Sequence, residues 1–133
     1  MKDDYLIKRT TKTALVSVCQ SLPEIAQRHK FGVLGVHDLK EKMTSKGVAF
    51  DRECRVFEVC NPQQAKGILE RSMEISTVLP CRISVYEEGA LTVIAAIKPT
   101  HLLGLFDAPG ASAAAKEVED TMIKIIDEAV RSH

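Results

Sequence analysis

The sequence predicts a single α+β domain, and three features predict it. Its 133 residues are enough for one hydrophobic core and too few for two. Two runs of strand character, Cys81 to Glu87 and Leu91 to Ile97, flank a Glu88-Gly89 turn, the arrangement of an antiparallel hairpin. Three helix-start signatures, at Ser21, Asp38 and Asn61, stand among further strand-like runs, so helices and strands share the one core. Residues 1–133 are read as one domain with its core at about residues 13–131.

Taken in order, Thr13 to Cys19 is a short β-branched run in which Ala14, Val16 and Val18 share one face at the strand period of two, so it is read as a strand. Ser21-Leu22-Pro23-Glu24 is next, a capping box with a helix expected to about Lys30 and Gly32 just beyond its end. Gly32 to Val36 is a second strand. Asp38-Leu39-Lys40-Glu41 opens a short helix with Leu39 and Met43 on one face, ended by Lys46-Gly47. Cys54 to Cys60 is a strand that runs into Asn61 as helix cap, Pro62 at the first helical position and Gln64 at the third. Ala65, Ile68, Leu69 and Met73 then hold the helical period.

In the hairpin, Cys81, Ile83 and Val85 share one face, and Arg82, Ser84 and Tyr86 the other. Its return strand, Leu91 to Ile97, is apolar on both faces and so requires cover on both: helices on one side, and a loop, a ligand or a second subunit on the other. Lys98 to Gly110 is a loop punctuated by glycine and proline, and its Leu102, Leu103, Leu105 and Phe106 must pack as a lid, an interface or core. The last helix, from about Ala113 to Arg131, carries Val118, Met122, Ile125, Ile126 and Ala129 on one stripe.

Charge excludes two classes of partner. With 18 basic and 18 acidic residues the formal net charge is zero, which lacks the basic surplus of a nucleic-acid or anionic-membrane binder. A neutral surface does little to oppose self-association, so a homodimer is expected. The Met1 to Ile7 stretch has no long apolar run of the secretory type, and no apolar run anywhere reaches the roughly 18 residues of a spanning helix. Four cysteines are too few for a disulfide scaffold of this size, which points to the cytoplasm.

Arg55-Val56-Phe57-Glu58-Val59-Cys60-Asn61-Pro62 and Leu79-Pro80-Cys81-Arg82-Ile83-Ser84-Val85-Tyr86-Glu87 together resemble the domain-of-unknown-function family 302. The similar order of elements covers about Thr13 to Val130. That resemblance implies a TATA-binding-protein-like α+β fold, an antiparallel sheet with helices packed on one face, often dimeric, and it implies no assigned activity. The matching positions are Glu58, Cys60, Asn61, Pro62, Leu79, Pro80, Cys81 and Glu87, whereas Cys19 and Cys54 lie outside the motifs.

Cys60 is the first candidate for chemistry. A thiol just before a helix N-terminus can be held as a thiolate, able to attack, carry sulfur or ligate a soft metal; a small buried residue at a strand end is the alternative. Cys81 opens the alternating strand on its apolar face and is a candidate resolving thiol or ligand contact. Glu58 shares the face of Val56 and Cys60, where it is either a desolvated acid or base, or the partner of Arg55, Arg82 or a lysine. Asn61 and Glu87 complete the candidate binding set, Glu87 sharing the Cys81 face by parity but lying beside the turn. His37 and His101 lack ligand-spaced partners, and His29 and His133 carry no signal. No cofactor or metal is expected, because no phosphate loop, G-x-S-x-G, H-E-x-x-H or C-x-x-C is present. Three functions are expected as alternatives: a small-molecule or partner-group site near Cys60, Asn61 and Cys81; a thiol-dependent redox or sulfur-transfer protein using Cys60; and a structural dimer module whose interface is Leu91 to Ile97.

Overall fold

The computed structural model describes residues 4–131, so the first residues of the Met1 to Ile7 stretch and His133 lie outside it. The element order is β1 (Leu6–Thr11), α1 (Leu15–Arg28), β2 (Gly32–Asp38), α2 (Leu39–Thr44), β3 (Cys54–Cys60), α3 (Pro62–Leu69), a 3₁₀ helix (Met73–Val78), β4 (Cys81–Glu88), β5 (Leu91–Ile97), α4 (Pro99–Leu103) and α5 (Ala111–Arg131). The strands form one antiparallel sheet in the order β1-β5-β4-β3-β2.

The strand expected at Thr13 to Cys19 is instead the first turn of α1. Leu15, Val18, Cys19, Leu22, Ile25 and Ala26 are all buried at spacings of three and four, and that helical stripe overrides the β-branched character of Val16 and Val18. Ser21 therefore caps nothing: it sits inside α1, and its hydroxyl donates to the Val18 carbonyl at 3.1 Å. Pro23 also lies within the helix. At the C-terminal end the left-handed residue is Lys30, at φ 66°, and Phe31 N–H closes back on the Ala26 carbonyl at 2.9 Å, so Gly32 is free to begin β2.

The other two caps form as their residues require. The Asp38 carboxylate accepts from Glu41 N–H at 3.0 Å, and the Asn61 amide oxygen accepts from Gln64 N–H at 3.1 Å. α3 stops at Leu69, so Met73 belongs to the 3₁₀ helix and stands exposed rather than on the α3 stripe. β1 and α4 are additions to the expected set. β1 buries only Ile7 and carries Lys8 and Arg9, as suits the edge of a sheet.

Helices α1 and α5 cover one face of the sheet. Phe57, Val59, Ile83, Val85 and Ile94 pack there against Leu22, Ile25, Met122 and Ile125, all at 2% exposure or less. Each such burial contributes roughly 1.5–3 kcal/mol. On the other face, Val93 lies between Thr10 and Tyr86, and Ala95 between Lys8 and Ser84. Val93 and Ala95 are 1% and 7% exposed in the single chain, whereas Leu91 and Ile97 on the same face are 37% and 41% exposed.

One end of the sheet is not fully zipped. The β4–β5 ladder runs from Glu88↔Leu91 to Ser84↔Ala95 and stops, although β4 begins at Cys81 and β5 continues to Ile97. The flanking ladders do not stop there: β3 holds β4 down to Val59↔Cys81, and β1 holds β5 out to Leu6↔Ile97. The two central strands therefore part at the end that carries Cys60, Cys81 and Ile97.

Candidate functional site

The parted strand ends open into a cavity of about 220 Å³. Its walls come from the 3₁₀ helix (Thr77, Val78), the cis Leu79–Pro80 segment, Cys81 and Arg82 of β4, Ile97 of β5, and Pro99, Leu102 and Leu103 on α4. α4 is held in place from behind. Thr100 donates its backbone N–H and its hydroxyl to one oxygen of Glu119 on α5, at 3.0 and 2.6 Å. Glu119 is the buried charged side chain of the described residues, 7% exposed, and these two bonds satisfy part of its need for partners.

Cys60, Asn61 and Cys81 are brought together, but around a different and much smaller void of about 20 Å³, which they share with Gln64, Ile68 and Pro80. Gln64 Oε1 is buried there without a protein hydrogen-bond donor. A void of that size holds about one water molecule, and the orphaned oxygen gives a water something to donate to. Cys81 borders both spaces.

Both thiols are protonated at neutral pH. Burial pushes Cys81 up to about 11, with a smaller contribution from neighbouring Cys60, and burial alone raises Cys60. No cation is among the groups that act on either sulfur, so burial governs both thiols. Cys19, on the buried face of α1, is likewise raised to about 11 by burial, and all four cysteines are free.

Glu58 and Glu87 do not join this group. Because Phe57 and Val59 face the core, Glu58 projects from the opposite face of β3, where Oε1 lies 3.2 Å from His37 Nε2 and Oε2 lies 3.9 Å from Arg82. Lys42 Nζ is 2.9 Å from His37 Nδ1. An ammonium only donates, so Nδ1 accepts and the ring proton sits on Nε2, facing Glu58. Of the partners weighed for Glu58, the structure selects Arg82 and adds His37. Gly35 leaves room beside this pair, since a Cβ there would stand 3.0 Å from Glu58 Oε1 and the carboxylate would have to shift slightly. Glu87 is exposed at the hairpin end of β4, about 20 Å along the strand from Cys81. His101 is on α4, its ring 5.8 Å from that of Tyr5. Among the described residues no cluster of three or more metal-ligating side chains occurs, and no helix is long and apolar enough to cross a membrane.

Sequence reasoning passed over Arg82, Ile97, Pro99 and the α4 leucines as site residues. The available signal was the apolar, glycine-punctuated Lys98 to Gly110 stretch, which does pack and supplies one wall of the larger cavity.

A five-stranded antiparallel sheet covered by helices on one face, with a cavity where its central strands part, defines a small α+β domain. The family model for the domain of unknown function DUF302 matches residues 7–129, and the chain belongs to that family. The crystal structure of an uncharacterized conserved DUF302 protein from Bacillus stearothermophilus is similar, with a TM-score of 0.90 and 29% sequence identity. The alignment covers 95% of this chain and 98% of that one. No curated protein matches the chain. Family and neighbour share the fold and assign no activity.

Proposed function

We propose that this chain is a small-molecule-binding domain whose site is the cavity between the ends of β4 and β5. The observation that carries the reading is the cavity itself: about 220 Å³ with largely apolar walls, against about 20 Å³ beside Cys60. Among the candidates named from the sequence, Cys81 belongs to this site, and Cys60 and Asn61 support it from the adjoining void. Ligand sites are concave and mostly apolar with a few polar groups, and this one lies just below the usual lower bound of about 300 Å³. It suits a ligand of roughly six to ten non-hydrogen atoms, for which a dissociation constant near millimolar is expected. The protonated thiols favour binding over thiol chemistry, and four free cysteines suit a reducing compartment such as the cytoplasm.

Titration of ¹⁵N-labelled protein with toluene tests the proposal. Shifts concentrated at Cys81, Ile97, Leu102 and Leu103, abolished in Leu102→Trp, are expected. Shifts scattered over the surface, or unchanged in a folded Leu102→Trp protein, would overturn it.

A further inference from the structure

We infer that the natural ligand of the cavity is a small uncharged molecule carrying an amide-type donor and acceptor side by side, such as a small-ring lactam or primary amide on an apolar body. This rests on the reading of the cavity as the binding site and adds the chemical class.

The class follows from which backbone groups face the cavity. Lys98 N–H donates to the Tyr5 carbonyl at 2.8 Å, so even-numbered residues at the end of β5 turn their backbone toward β1 and odd-numbered ones toward β4. The β4-facing pairs along the ladder are Leu91 with Glu88, Val93 with Tyr86, and Ala95 with Ser84. The next in line is Ile97 with Arg82. In an unbroken ladder these two would exchange N–H and C=O bonds in both directions, yet the ladder ends one step before them. Both residues border the cavity. The split thus turns a strand's donor and acceptor toward the bound molecule instead of toward the neighbouring strand. A cis or primary amide presents a complementary pair on one edge, as one residue of an added strand does in β-augmentation.

The remaining groups argue against a charged ligand. The Thr77 hydroxyl is already committed to the Glu74 carbonyl at 2.8 Å. Arg82 directs its guanidinium toward Glu58, on the face away from Cys81. The Cys81 thiol is neutral, raised to about 11 by burial. A ligand charge would therefore enter the apolar walls without a partner. Size agrees: an apolar cavity of about 150 Å³ admits benzene, so 220 Å³ accommodates a six-membered ring with one polar substituent.

The test compares δ-valerolactam, N-methyl-δ-valerolactam, toluene and cyclohexanecarboxylate by titration of ¹⁵N-labelled protein. We expect δ-valerolactam to bind about tenfold more tightly than its N-methyl form, because methylation removes the donor and leaves a backbone acceptor unpaired. The amides of Ile97 and Arg82 should shift most. If the N-methyl lactam or toluene binds as tightly at the same residues, the cavity stands as the site and the amide class is overturned. Preference for the carboxylate overturns the uncharged class. If none of the four moves the cavity residues, both the class and the binding site fail.

Discussion

The two ends of the β4–β5 pair behave oppositely. At the hairpin end, Glu88 to Ser84 zip against Leu91 to Ala95, with Val85 and Ile94 at zero exposure beneath α1 and α5. At the other end the same strands part, and α4 and the 3₁₀ helix line the gap. Local turn chemistry and continuous apolar packing close the first end. At the second end β4 and β5 keep their ladders with β3 and β1 but not with each other, and α4 lines the gap between them. The zipped end is therefore expected to act as the rigid frame, and the split end, which holds the proposed site, as the less stable part.

The largest expected effect sharpens that contrast. Ile94→Ala should lower unfolding free energy by about 2–5 kcal/mol, as for a fully buried aliphatic residue, whereas half-buried Leu102→Ala should cost well under half of that. Urea unfolding with an unchanged slope would show it. Equal losses would mean that the split end carries as much of the fold as the zipped one.

A smaller effect concerns the bonds that hold α4. Glu119→Gln keeps the shape of the side chain and removes its charge, so its bonds from Thr100 should weaken by about 1–2 kcal/mol. Faster amide exchange confined to residues 99–104, with the hairpin unaffected, is the expected pattern. Uniform acceleration would show that Glu119 serves global stability instead of the cavity wall.

The smallest effect lies outside both ends. Glu128 on α5 bonds with His29 and Arg28 on α1, and these two partners hold its carboxyl below the ordinary value of 4.5. A depressed folded pKa stabilises above the unfolded value and is lost as pH falls through the folded one. Stability should therefore decline below about pH 4.5, and less steeply in Glu128→Gln, as measured by thermal unfolding across pH. The carboxylate is half-buried and partly screened by solvent, so the effect is modest.

How legible these features were in the sequence depends on how local their causes are. Asp38 and Asn61 cap helices through bonds spanning three residues, and Glu88-Gly89 turns a hairpin with neighbouring strands, so these elements could be read directly. The first turns of α1 read as a strand because Val16 and Val18 outweigh a stripe of six buried residues that the helical period explains better, whereas its later turns fall within the helix expected from Ser21. β1 was missed because Lys8 and Arg9 obscure an edge strand whose partner, β5, lies about ninety residues away. For the site, Cys60, Asn61 and Cys81 do meet, but the space they enclose is too small for a ligand. The larger cavity arises where two strands stop pairing, and no residue pattern within either strand marks that point.

Amide hydrogen exchange at the β4-facing residues of β5 reads out the split between β4 and β5 residue by residue. Val93 and Ala95 N–H groups should be protected as core ladder bonds, and the ligand-free Ile97 N–H should exchange at least about a hundredfold faster. Protection of Ile97 equal to that of Val93 would mean that the ladder closes to its end and that the strands do not part.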